Sequence, residues 1–398
     1  MTVTNPLSYL SEQLEAWRQA GTYQRLRVLE SPCEPVSRVD GREVINLASN
    51  NYLGLADHPK LVESAIAATK KYGAGSGAVR TISGTMSIHM ELERKIAQFK
   101  QTEACVVFQS GFAANAGTVS AILTPEDHII SDALNHASII DGCRLSRAKI
   151  HVFAHRDTAA AAKILDDLAG ASGRKLLITD GVFSMDGDIG PLPSLVEIAE
   201  SHGAIMMIDD AHSSGVLGRN GRGTVDHFGL HGRVDIQVGT LSKAIGVLGG
   251  YVCGNRDLIE FLYHRARPFL FSTSHPPGVA GACLAAFEIL ENEPERIEKL
   301  WDNTRYFKAA LKNAGFNTGE SETPITPIIV GEAKMAHAFS AALFENGLFA
   351  TGIGFPTVPE GKARVRTIVT ATHTREMLDR AAEILTRVAK KMGVLPGD

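Results

Sequence analysis

The sequence predicts an α/β fold, with a large domain built on a mostly parallel sheet between helices and a smaller α+β domain at the C-terminal end. Three observations point to it. Short apolar runs alternate with helical runs through the middle of the chain. Many of these runs stop at a loop bearing Gly, His, Asp or Ser. One lysine, Lys243, lies in a glycine-rich stretch directly after such a run. Strand–helix alternation makes neighbouring strands parallel, and helices then cover both faces, so the strands read as continuous apolar runs.

The elements follow in order. Over residues 6–21, Leu7, Leu10, Leu14 and Trp17 recur at spacings of three and four, the period of an amphipathic helix. Residues 23–35 are irregular and carry Arg25 and Arg27, as a connector or as an arm over a site. Residues 42–47 read as a short strand, 48–55 as an Asn-rich turn, and 58–72 as a helix with Pro59 in its first turn. The glycine-dense residues 73–85 contain no GxGxxG that opens a βαβ unit, and no GKS or GKT follows. They read as a backbone-rich loop near a ligand or subunit contact, with a mobile linker as the alternative. A helix is expected over 86–100 and a strand over 104–109, where the period changes at Ser110. Further strands are expected at 128–131, 149–153, 175–179, 204–208 and 235–238, with helices at 158–168 and 192–202 among them. A long helical segment from Pro277 leads into helix 294–315, strand-like 324–330, a helix near 336–346, the apolar triplet 348–350, strand 363–369 and a last helix capped by Thr374. The expected division is residues 1–45 as N-terminal helix and arm, 46–285 as the large domain and 286–398 as the small one.

Composition narrows the function. The 398 residues are 44% hydrophobic and 21% charged, the balance of a globular chain. A formal charge of −4 without basic runs argues against nucleic acid as the main partner. Five cysteines without CxxC spacing predict free thiols rather than a disulfide frame, and the absence of HExxH or other zinc spacing predicts no metal. No apolar span reaches membrane length, and the first residues lack a secretory pattern, so the expected location is cytoplasmic and no membrane partner is expected.

In parallel sheets, ligands bind outside the carboxyl ends of the strands. Gly111, His136, Ser184, Asp209, His212 and Lys243 all fall at such ends or just beyond them. Singly, each has an ordinary reading: a solvated lysine, an Asp-Asp turn or cap, a surface histidine. Together they match what pyridoxal 5'-phosphate (PLP) requires of a protein. Lys243 supplies an amine for the aldehyde, Asp209 an anion for the pyridine nitrogen, and His136 a flat partner for the ring. The N–H groups of Gly111 and Phe112 open a helix and favour a phosphate, with Thr240 beside them. His212 and Ser184 are candidate donors to the phenolic oxygen. Arg366 offers the planar fork that an amino-acid carboxylate needs.

Seven ordered motifs carry a resemblance that spans nearly the whole chain. They are Asn50-Asn51-Tyr52-Leu53-Gly54, Ser110-Gly111-Phe112, Leu134-Asn135-His136-Ala137-Ser138, residues 180–187, Asp209-Asp210-Ala211-His212, Thr240-Leu241-Ser242-Lys243 and Phe271-Ser272-Thr273-Ser274. The chain resembles the α-oxoamine synthases, PLP enzymes of fold type I, and among them the 8-amino-7-oxononanoate synthase and glycine C-acetyltransferase (2-amino-3-ketobutyrate CoA ligase) branch. Two departures are small: relatives often carry Glu where Asp210 stands and Gly where Ser242 stands.

The resemblance implies a seven-stranded sheet and a homodimer with shared active sites, in which Thr273 and Ser274 reach the neighbouring subunit's phosphate. It implies that Lys243 holds the cofactor and later moves the α-proton, and that Asp209, His212 and His136 contact its ring. Asn50, His136, Thr357 and Arg366 would contact the amino-acid substrate; Arg25 and Arg27 remain alternatives for a further contact. The implied reaction is acyl transfer from an acyl-CoA to glycine or L-alanine with release of CoA. Pimeloyl-CoA and alanine would give 8-amino-7-oxononanoate and CO2; acetyl-CoA and glycine would give 2-amino-3-oxobutanoate. An aminotransferase on the same fold is one alternative. A catalytically silent partner subunit is another, and such subunits typically lack the lysine.

Overall fold

The structure, a computed structural model, describes residues 5–397. The described residues form two compact units, one of residues 50–184 and 188–300, the other of residues 5–49, 185–187 and 301–397. The later division falls after Leu300, inside the helix Glu295–Asn313.

The larger unit holds a seven-stranded sheet in the order Ala104–Phe108, Gly250–Gly254, Ile236–Thr240, Ile205–Asp209, Lys175–Asp180, His128–Asp132, Lys149–Phe153. Only Gly250–Gly254 runs antiparallel to its neighbours. The apolar runs are explained by burial on both faces. Leu176, Ile178 and Met207 pack on one side with Ala114, Val119 and Leu262. Leu177, Met206 and Ile208 pack on the other with Leu165, Leu195 and Val196. Each such side chain contributes about 1.5–3 kcal/mol by leaving water.

Several elements of this unit were not expected, among them the helix Arg256–Arg265, a strand beside the lysine loop and a helix after His136. The strand Gly250–Gly254 continues what reads in the sequence as a glycine loop. The helix Ala137–Ser146 packs against Gly111–Ile122, and Gly142 permits the approach: a Cβ there would lie 3.1 Å from the Asn115 carbonyl. The glycine-dense segment is ordered. Its turn Arg80–Gly84 is pinned by Arg80, whose guanidinium grips Glu93 at 2.8 and 3.1 Å, and Val79 bridges to Thr273.

The smaller unit has two three-stranded sheets. One joins Val36–Val39, Arg42–Asn46 and Leu348–Phe349; the other joins Ile325–Gly331, Ala363–Ile368 and Thr351–Ile353. Phe307, Phe339, Leu343, Val365, Leu378 and Leu385 form its core. Thr374 caps the helix Arg375–Met392 by accepting from Met377 N at 3.2 Å, as the Thr-initiated pattern predicts. The helix Ser8–Ala20 buries none of its residues. Arg27 lies over the Phe344 ring at 3.5 Å and bonds Asp40 at 3.0 Å, whereas Arg25 is largely exposed. Among the described residues no helix is long and apolar enough to cross a membrane.

Candidate active site

The predicted residues of the larger unit gather where its parallel strands end. Asp209 ends Ile205–Asp209 and is buried. Its Oδ1 accepts from Ala211 N at 2.8 Å and its Oδ2 from Asn115 Nδ2 at 2.6 Å. Asn115, wholly buried in the helix Gly111–Ile122, thereby aims the carboxylate. His212 follows on a turn, and its Nδ1 shares a 2.8 Å hydrogen bond with the Tyr52 hydroxyl. That bond fixes the ring edge-on to Tyr52.

Lys243 lies three residues beyond the strand Ile236–Thr240, in a loop closed by hydrogen bonds from Gly246 N to Lys243 O and from Val247 N to Leu241 O, both 2.9 Å. Its charge acts to lower the pKa of both His136 and Asp180. The His136 ring has an accessible surface, yet enough protein surrounds it that desolvation is the largest cause lowering its pKa. Asp209 opposes that fall and Lys243 adds to it. The backbone N–H of His136 donates to Asp180 Oδ2 at 2.7 Å. Asp180 pairs in register with Asp209; burial first, and the Asp209 charge second, push its carboxyl far above the usual range.

The start of the helix Gly111–Ile122 forms a cradle. Ser110 caps it by accepting from Ala113 N at 3.0 Å. A Cβ on Gly111 would come within 3.5 Å of Thr240 Oγ1, and one on Gly250 would collide with Gly111 N at 2.5 Å. The glycines therefore let three backbone segments converge on exposed N–H groups. Thr240 Oγ1 donates to Gly249 O at 2.9 Å and lies 2.8 Å from Ser242 Oγ. Asn50 directs a buried Oδ1 that has no protein partner. Ser184 is half-buried in the loop after Val182. Thr273 is exposed, its carbonyl accepting from Gln109 Nε2 at 2.7 Å, and Ser274 is buried, 2.6 Å from Ser76 Oγ.

Thr357 and Arg366 belong to the smaller unit. Thr357 is exposed on the turn after Gly354, and Arg366 is half-buried on Ala363–Ile368 between Pro327 and Thr351. The site also contains groups to which the sequence alone gives no role: Asn115, Tyr52, Asp180 and Ser138. Tyr52 and Ser138 lie inside quoted motifs, and a polar Asn115 amid Ala and Gly on a helix was an available signal.

This arrangement fits PLP. A glycine cradle at a helix N-terminus suits the phosphate, the open His136 ring suits an aromatic face, and Asp209, oriented by the Asn115 amide and the Ala211 N–H, suits a protonated pyridine. Fold and site define a PLP-dependent transferase of fold type I. A model of the family described as aminotransferase class I and II matches residues 42–385. The chain is 63% identical over 387 residues to the 8-amino-7-oxononanoate synthase of Symbiobacterium thermophilum, covering 97% of this chain and 99% of that one. It is 53% identical over 393 residues to 8-amino-7-oxononanoate synthase 1 of Bacillus subtilis, covering 99% and 100%. A serine palmitoyltransferase from S. paucimobilis with a bound PLP–myriocin aldimine aligns with TM-score 0.93 at 32% identity, covering 98% of this chain and 100% of that one. The chain belongs to the aminotransferase class I and II family, in its α-oxoamine synthase branch, and its cofactor is pyridoxal 5'-phosphate.

Proposed function

We propose that the protein condenses L-alanine with pimeloyl-CoA, giving 8-amino-7-oxononanoate, CoA and CO2, an acyl transfer within biotin biosynthesis. The observation that carries this reading is full-length identity of 53–63% to relatives bearing the synthase name. Lys243, at its place after the strand, argues against a silent subunit. The same relatives favour acyl transfer over transamination.

Bound PLP supplies an electron sink for the α-carbon of the amino acid. Lys243 anchors it and then takes the α-proton at Nζ, a task that requires the neutral amine. Asp209 keeps the ring nitrogen protonated. His212, steadied by Tyr52, donates to the phenolic oxygen, with Ser184 as a further donor there. His136 covers one ring face and excludes water from it. Gly111, Phe112 and Thr240 hold the phosphate. Asn50 and Thr357 contact substrate, and Arg366 takes the amino-acid carboxylate in a bidentate grip.

The protein acts as a cytoplasmic homodimer with shared sites, in which Thr273 and Ser274 reach the partner's phosphate. Support comes from Phe271 and Ile82, which are 71% and 79% exposed apolar side chains beside the Val79–Thr273 bridge.

A matrix of amino acids against acyl-CoA thioesters, read by CoA release and product mass, tests the reaction. Alanine with pimeloyl-CoA is expected to be turned over fastest. Amino-group transfer without CoA release would overturn the proposal. Arg366→Ala is expected to raise KM for the amino acid by about tenfold or more and to leave KM for the thioester nearly unchanged. Equal losses on both substrates would remove the carboxylate role.

A further inference from the structure

The two ring nitrogens of His136 stand in different surroundings. Nδ1 faces two groups of Ser138: the backbone N–H at 3.2 Å and the hydroxyl at 2.7 Å. A backbone N–H can only donate, so Nδ1 accepts and carries no proton. The neutral ring then keeps its proton on Nε2. Ser138 is free to point its hydroxyl proton at Nδ1 because its oxygen already accepts from Asn115 Nδ2 at 2.9 Å. The other proton of that amide goes to Asp209 Oδ2 at 2.6 Å. A continuous chain of hydrogen bonds thus links Asp209, Asn115, Ser138 and His136, with the Asn115 amide donating in both directions. Both intermediates are shut from water, Asn115 being 0% and Ser138 1% exposed.

Helix capping accounts for only part of this. The His136 side chain caps Ala137–Ser146 through the Ser138 N–H. Capping needs neither a hydroxyl at position 138 nor an amide behind it.

We propose that Ser138 and Asn115 are positioning residues that lock His136 as its neutral Nε2–H tautomer and couple that tautomer to the Asp209 carboxylate. His136 is then a hydrogen-bond donor into the site and not a base. Protonating it would place a hydrogen on Nδ1 against the Ser138 N–H. The charged or titratable groups around it act in both senses: Asp209 favours the cation, Lys243 opposes it, and the Asp180 carboxyl holds the His136 backbone N–H.

Nitrogen NMR of 15N-histidine-labelled protein tests this, with His136 assigned by loss of its signals in His136→Gln. Spectra are taken on PLP-loaded protein without substrate, so the result stands apart from the substrate assignment. In the unsubstituted protein, Nδ1 is expected to show the unprotonated shift and Nε2 the protonated one through neutral pH. A protonated Nδ1 would overturn the proposal without any variant. Ser138→Ala keeps the backbone donor but loses the hydroxyl; the two shifts are expected to move toward each other. Its kcat is expected to fall about five- to tenfold, the worth of one hydrogen bond, with KM for both substrates little changed. Asn115→Ala is expected to move the His136 shifts in the same direction, although it does not touch that ring. Ser138→Thr, which restores the hydroxyl, is expected to restore the shifts. Spectra unchanged in Ser138→Ala and Asn115→Ala would sink the proposal.

Discussion

Asp209 and Asp210 are neighbours in the chain, and the fold treats their charges in opposite ways. Asp210 is paired with Lys100 at 2.7 Å, and neither side chain reaches water. Lys100 also donates to the Arg222 carbonyl at 2.6 Å, and Asp210 accepts from Thr224 N at 3.2 Å. That charge is balanced inside the protein. Asp209 instead accepts hydrogen bonds from two neutral donors, the Asn115 amide and the Ala211 N–H. Amides orient a carboxylate without cancelling it. Part of the resulting strain falls on Asp180, whose carboxyl is pushed up by burial and then by Asp209. The contrast separates a charge balanced by a buried cation from one oriented by amides, and the proposed role of Asp209 toward a cationic ring nitrogen rests on the second arrangement.

The largest expected effect comes from Asp209→Asn. The shape is kept and the charge is lost, so kcat/KM is expected to fall about 10²- to 10³-fold. Asparagine turns one of the two accepting oxygens into an amide that faces a donor, at a cost of about 1–3 kcal/mol that loss of the buried charge offsets, so the cofactor-free protein is expected to melt only slightly lower than before. A large drop in Tm would break the comparison, because it would make Asp209 structural too. Next in size is Lys100→Met. It strands Asp210 without a partner, with an expected cost of about 3–5 kcal/mol in urea unfolding. Lys100→Met with Asp210→Asn is expected to recover most of that loss. In both, the folded fraction keeps nearly all its activity. A double variant no more stable than the single one would show that Lys100 matters for packing rather than for charge.

How much of this was legible varied with the range of the interaction. The parallel strands were readable because each is buried on both faces and therefore apolar throughout, as with 175–180 and 205–209. The strand Gly250–Gly254 was hidden by its two glycines, which in sequence extend the lysine loop. The helix Ala137–Ser146 was hidden by Ser, Asp and Gly residues that weaken its apolar period. Of the site, Lys243, Asp209, His136 and His212 stood out by their place at strand ends. Their supports did not. Lys100 meets a partner 110 positions away, and Tyr52 meets His212 160 positions away. Such pairs are set by the tertiary fold, and no local spacing announces them.

A third case, the acidic pair Asp132 and Asp188, lies between these extremes and gives the smallest effect. Asp132 and Asp188 share His155, with Nδ1 3.1 Å from Asp132 Oδ1 and Nε2 2.7 Å from Asp188 Oδ2. Burial works to lower the His155 pKa, but the hydrogen bonds and charges of the two carboxylates outweigh it and raise it to about 9. Here the balance is titratable. The folded value lies above the ordinary 6.5, so the stabilisation is complete below that pH and is lost as pH rises through about 9. Allowing for solvent around the ring, the loss is expected to be about 1–2 kcal/mol. Arg156 softens it, because its guanidinium stays charged 3.4 Å from Asp188 and its N–H still donates to Asp132 at 2.8 Å. Urea unfolding at pH 6.5 and pH 9.5, compared with His155→Gln, isolates this contribution: the variant is expected to lose less stability over that interval. Equal losses in both proteins would mean that the carboxylates draw their balance from Arg156 instead, and the pair would then belong with Asp210 rather than between the two.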